Sequence, residues 1–162
     1  MDRYGRLIER ARAGERILID GGTGSECIRR GVAELPNGWS GGAALSSPDI
    51  VRQIHAEYVA LGADLVVSNT FATGKNVLED AGVAEDFEAY NHRAVELAIE
   101  ARERAGPSAD HVVVAGGISN WSFSGDRPSL EILHKNTVEQ AKIMGDAGAE
   151  LISLEMMVDL PR

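Results

Sequence analysis

The segment Asp20-Gly21-Gly22-Thr23-Gly24 joins a carboxylate to a backbone free to turn sharply and approach a ligand closely. It follows the short apolar run 17–19 directly. The carboxyl end of a parallel strand is where α/β proteins place binding groups. The same residues also fit a plain glycine turn in which Asp20 bonds loop amides. A dinucleotide fingerprint fits poorly: Gly22-Thr23-Gly24 begins one, but its third glycine position is Cys27. No Lys-Ser/Thr follows for a phosphate loop either. Glu155 stands in an equivalent place, closing a later apolar run in Leu154-Glu155-Met156. If both acids face one mouth, they can hold an ammonium group by charge-assisted hydrogen bonds. They can equally act as a general acid/base pair, or Glu155 can simply be solvated at a strand end.

Other polar and aromatic residues fall near the same strand ends. Asn69-Thr70 and Ser119-Asn120 offer neutral hydrogen-bonding groups, although residues so placed commonly cap helices or brace loops. Trp39 and Trp121 lie in loops where an aromatic can wall a pocket; packing under a long loop is the commoner role. His55 lies within a helical pattern, and a satisfied structural histidine is the expectation. His92 and His134 also fall inside helices and are assigned no role. Cys27 alone cannot build a zinc site, which needs at least three protein ligands, and a small buried residue early in a helix is its expected identity. No residue is assigned a catalytic role and none a metal.

The elements that must position these residues are legible as four short apolar runs at 17–19, 65–67, 112–115 and 151–154. Each has the unalternated aliphatic character of a strand covered on both faces. Helical patterns lie between them. One opens at Ser47-Pro48-Asp49, a cap followed by proline at the first helical position. It carries Ile50, Ile54, Tyr58 and Leu61 on one face, and Gly62 supplies the stop. Two more span about 86–105 and 129–146, and residues 1–16 suit a short amphipathic helix. The order β-α-β-α-β-α-β predicts parallel strands with right-handed crossovers. An internal repeat sharpens this: Gly62-Ala63-Asp64-Leu65-Val66 is echoed by Gly148-Ala149-Glu150-Leu151-Ile152, and Ile19-Asp20-Gly21-Gly22 by Val114-Ala115-Gly116-Gly117. In that register Asn69 sits opposite Glu155, and strands one and three end in Gly-Gly. Alternation by twos is what a barrel produces, although helix-Gly-Ala-acid-strand is also a common junction.

Composition narrows the function classes. The chain has 162 residues and a formal net charge of −9 with dispersed basic residues, unlike a nucleic-acid binder. Its apolar runs are far short of a membrane span, and the charged N-terminus has no signal-peptide core. One cysteine suits a reducing compartment, so a cytoplasmic location is expected. One domain is expected, but a complete (β/α)8 barrel needs about 250 residues.

Taken in order, the motifs resemble the homocysteine S-methyltransferase family. The matching pieces are Ile19-Asp20-Gly21-Gly22-Thr23-Gly24-Ser25-Glu26, Trp39-Ser40, Ser47-Pro48-Asp49 and His55-Ala56-Glu57-Tyr58. Gly62-Ala63-Asp64, Ser68-Asn69-Thr70-Phe71, Val114-Ala115-Gly116-Gly117-Ile118 and Leu154-Glu155 complete the set. The resemblance implies an α/β fold of the TIM-barrel class. Residues 1–162 would be the N-terminal half of a homocysteine-binding (β/α)8 domain, a partial barrel of about four βα units with parallel strands. It implies methyl transfer from a small donor (a sulfonium, a quaternary ammonium, or a methylated folate or corrinoid) to the thiolate of homocysteine or a related thiol. By similarity, Asp20 and Glu155 hold the substrate ammonium, the Gly21-Gly22 loop helps place it, and Asn69 belongs to the same substrate-binding set.

The departure from the family is equally specific. Its three zinc-binding cysteines belong to the later strands, and Cys27 matches none of them. Zinc is therefore expected in a complete family protein and not in this chain alone, which is expected to be a truncated, inactive half. The chain closes at Leu160-Pro161-Arg162, before a fourth helix. The alternative is a noncatalytic binding or assembly module. Its open edges at strands one and four would pair two copies into a homodimer. An unrelated doubly wound α/β fold is the third possibility.

Overall fold

The apolar runs after the first become three parallel strands, β1 (Leu65–Val67), β2 (Val113–Ile118) and β3 (Leu151–Leu154), in the sheet order β1-β2-β3. The computed structural model describes residues 2–157; the expectation about residues 160–162 lies outside them. Leu65 pairs with Val113, and Ala115 with Leu151, so each strand lies beside its successor. The α-helices of the described residues are α1 (Arg3–Arg12), α2 (Thr23–Arg29), α3 (Ala43–Ser46), α4 (Pro48–Ala60), α5 (Lys75–Asp80), α6 (Phe87–Arg104) and α7 (Leu130–Asp146), of which α4, α6 and α7 are the crossovers. Val59 of α4, Val95 and Ala98 of α6 and Met144 of α7 share one buried cluster with Val66, Val114 and Ile118. All three crossovers therefore cover the same face of the sheet. Sequential strand order with crossovers on one face is the pattern of a barrel wall, not of a doubly wound sheet, whose order reverses.

Two expectations about the strands need correction. Run 17–19 forms only a single parallel bridge, Ile19 to Leu65, on the outer side of β1. The Asp64 N–H donates to the Leu18 carbonyl at 2.8 Å and the Asp20 N–H to the Leu65 carbonyl at 3.0 Å. Among the described residues nothing pairs with the far side of this segment, and Leu18 and Ile19 are 54% and 64% exposed. The four βα units thus appear as three strands and a bridge. Gly116 and Gly117, expected to end a strand, instead lie within β2, which continues to Ile118. The helical stripe shifts as well. Leu61 is exposed at the end of α4, and Val51, Ile54, His55 and Val59 take the buried positions.

The opposite face of the sheet carries Leu65, Val113 and Ala115, and helix α1 (Arg3–Arg12) lies against it through Leu7. Asp2 caps α1, accepting the Gly5 N–H at 2.6 Å. The repeated Gly-Ala-acid junctions explain how α1 is held. Asp64 accepts from Arg10 at 2.7 Å and from the Leu18 N–H at 3.0 Å. Glu150 accepts from Arg3 at 3.2 Å, from Arg102 at 2.9 Å and from the Val114 N–H at 2.8 Å. Each acid pins the start of the preceding strand and draws an arginine of α1 across the amino-terminal end of the sheet. The carboxyl-terminal end is left for a site. No helix of the described residues is long and apolar enough to cross a membrane.

Candidate substrate-binding site

At the carboxyl ends of the strands lies a cleft of about 270 Å³, lined by Gly21, Gly22, Thr23 and Trp39 on one side and Asn69, Phe71 and Glu155 on the other. Of the two acids singled out above, Glu155 lines the cleft, and Asp20 stands behind its lip, near enough to feel the charge of Glu155. Asp20 leads into the lip at Gly21, and its Oδ2 accepts the Val67 N–H at 3.0 Å. Burial pushes its pKa up to about 7 against the pull of that hydrogen bond, and the negative charge of Glu155 adds to the rise. Glu155 follows β3, its own N–H donating to the Ile118 carbonyl at 2.8 Å. Burial raises its carboxyl as well, and Oε1 is buried with no hydrogen-bond partner.

The diglycine of β2 makes room for this carboxylate. Successive strand residues point to opposite faces. A β-carbon on Gly116 would meet Met144 Sδ at 2.6 Å on the helix-covered side, and one on Gly117 would overlap Glu155 Oε1. Gly117 also exchanges both backbone groups with the Thr70 hydroxyl, each at 2.8 Å. The wall beneath Glu155 is thereby tied to the loop after β1.

Asn69 is buried, and its Nδ2 donates to the Ser40 carbonyl at 2.9 Å. Its amide nitrogen braces the loop that carries Trp39. Ser119 accepts the Trp121 N–H at 3.1 Å, and Asn120 meets Thr137 at 3.5 Å, so neither reaches the cleft. Cys27 is fully buried and burial pushes its thiol up to about 11, as suits a packing residue. His55 is fully buried too, but neither ring nitrogen has a hydrogen-bond partner, contrary to the expected satisfied histidine. Burial lowers its pKa to about 4.

Trp39 walls the cleft, the less common of its two expected roles. Its ring meets Phe71 edge-on at 6.1 Å and Phe123 at 6.4 Å, and the two phenylalanines meet edge-on at 6.4 Å. Trp39 and Met156, which both line the cleft, adopt φ of 45° and 51°. Strained backbone of this kind clusters at ligand sites. Sequence reasoning gave no role to Phe71, Phe123 or Thr23; Phe123 sits in a loop far along the chain from the others. Phe71 had a usable signal in its place just after β1, beside Asn69.

Buried acids beside an aromatic wall at the carboxyl ends of sequential parallel strands are groups able to attract a positive charge. The sequence model of the homocysteine S-methyltransferase family matches residues 17–162. The chain belongs to this family. As a homocysteine S-methyltransferase family member it is 27% identical over 158 residues to homocysteine S-methyltransferase 1 of Arabidopsis thaliana, covering 85% of this chain and 48% of that protein. It is 28% identical over 174 residues to the selenocysteine methyltransferase of Astragalus bisulcatus, covering 88% of this chain and 51% of that one. The metallated homocysteine methyltransferase MmuM from Escherichia coli shares the fold with a TM-score of 0.75 at 24% identity, over 90% of this chain and 56% of that chain. The chain spans about half the length of the curated relatives it matches.

Proposed function

We propose that this chain forms the amino-acid-binding, N-terminal half of a homocysteine S-methyltransferase domain, with homocysteine or a related thiol or selenol as acceptor. One observation carries the reading: Glu155 lines the cleft with Oε1 lacking a partner, and Asp20 at the lip feels its charge, both acids being pushed toward the neutral form by burial. A substrate ammonium supplies the missing positive charge and the missing donors, and favours the carboxylate form of both acids. Asp20 and Glu155 then fix the amino end, while Gly21 and Gly22 admit the substrate backbone close to the loop. Asn69 holds the Trp39 loop and presents the rest of its amide to the same cleft.

The aromatic wall favours an onium donor. A sulfonium or quaternary ammonium is attracted to ring faces, and its methyl group leaves with its bonding pair retained by the departing sulfur or nitrogen. The acceptor sulfur forms the new C–S bond and must reach the site as thiolate, against an ordinary thiol pKa of about 8.5. In the family, zinc would supply that activation. Among the described residues no group of three or more His, Cys, Asp or Glu side chains is placed to hold a metal ion. The described residues do not fit the metal. The single buried thiol fits a reducing setting, and a cytoplasmic location belongs to the same proposal.

The reading is tested by NMR titration of the chain with L-homocysteine and with 4-mercaptobutanoate, which lacks the amine. Saturable shifts around Asp20 and Glu155 are expected only for the amine, and E155Q should weaken them about tenfold or more, the value of a hydrogen bond to a charged group. Equal response to both ligands would sink the ammonium role. A second reading, a noncatalytic module that self-assembles, is favoured by the exposed edge residues Leu18, Ile19 and Leu154.

A further inference from the structure

Glu155 Oε1 is not alone at the cleft in lacking a partner: Thr23 Oγ1 is buried and unpartnered as well. Thr23 is 8% exposed and lines the same cleft. Its backbone is fixed by an N–H bond to the Gly21 carbonyl at 2.9 Å. A buried hydroxyl with no partner costs stability, whereas an apolar side chain of the same shape would fill the position without that cost. The loop 20–24 contains no other side-chain hydroxyl or amine; its remaining members are Asp20 and three glycines.

The chemistry of the ligand class indicates what this hydroxyl meets. An α-amino acid carries its carboxylate on the same carbon as its ammonium, so a site that grips the ammonium brings the carboxylate alongside. Asp20 and Glu155 cannot receive it, because like charges repel. A carboxylate accepts hydrogen bonds, and a hydroxyl can donate one. We infer that the Thr23 hydroxyl donates to the α-carboxylate of the substrate and makes the site selective for amino acids over simple aminothiols. This rests on the amino-acid-binding reading above and adds to it a residue and a selectivity.

The test compares L-homocysteine with 3-aminopropane-1-thiol, the same molecule without its carboxylate. Both are titrated by NMR into the wild-type chain, T23V and T23S. Valine keeps the shape of threonine and removes the hydroxyl. The expected result for T23V is a Kd for homocysteine raised about tenfold, with the aminothiol Kd unchanged and T23S close to wild type. The ratio of the two affinities is read within each variant, so partial unfolding of T23V does not imitate the effect. Unaltered homocysteine binding by T23V, or an equal loss of both ligands, overturns the inference while leaving the ammonium site standing. If the wild-type chain binds neither ligand, the amino-acid reading itself falls, and this inference with it.

Discussion

Asp20 and His55 carry opposite electrostatic debts. The Asp20 carboxyl is raised to about 7 by burial and by Glu155, whereas an unfolded aspartate titrates near 3.9. Between those values the folded chain holds a proton that the unfolded chain releases, so this contribution is full below about pH 4 and is lost as pH rises to about 7. His55 behaves in reverse. Burial lowers it to about 4 against about 6.5 unfolded, so its contribution is present above about 6.5 and is lost as pH falls toward 4. The two slopes oppose each other over most of the same window. Variants should separate them: D20N combined with E155Q, which removes both raised carboxyls, should leave stability rising from pH 4.5 to 6.5, and H55L should leave it falling over that range. Urea unfolding of both at several pH values checks the signs, and parallel profiles would refute the assignment. Since neither ring nitrogen of His55 has a partner, H55L should also gain about 1 kcal/mol at pH 7.

At the scale of elements, the two Gly-Ala-acid junctions act as clamps. Glu150 receives Arg102, Arg3 and the Val114 N–H together. Removing it strands the buried Arg102 and a strand amide, so E150A is expected to cost about 2–4 kcal/mol and E150Q roughly half of that. Urea unfolding measures both, and an E150A midpoint equal to wild type would show that α1 and β2 are held by packing alone. These junctions were legible in the sequence because a repeat needs no tertiary information. The helices over 47–62, 86–105 and 129–146 were legible for a similar reason, since caps, proline and glycine stops are local. The segment 17–19 was not, because a strand exists only as far as a neighbour pairs with it, and the outer side of Ile19 has none among the described residues. Gly116 and Gly117 were misplaced because their role depends on Met144 and Glu155, both distant in sequence. Asp20 and Glu155 stand out in the sequence from position alone, at the ends of apolar runs. Thr23 and Phe123 needed the cleft to be seen.

For the molecule as a whole, the sheet is open on both sides among the described residues. Leu18 and Ile19 flank one edge, and Leu154, 66% exposed, lies on β3 at the other. Unpaired edges with apolar side chains template pairing with another chain. A second copy related by a two-fold axis would offer the same edges in return. The net charge of −9 opposes that approach at low ionic strength. Repulsion reaches about 30 Å at 0.01 M salt but only about 8 Å at 0.15 M, while the apolar contact is unaffected. Association is therefore expected to strengthen as salt rises between those limits, the opposite of an interface built on ion pairs. Light scattering at tens of micromolar protein should show mass rising with salt, and L18K combined with L154K should return it to the monomer. A wild-type chain that stays monomeric throughout would mean that its edges are already shielded, and would remove the assembly reading.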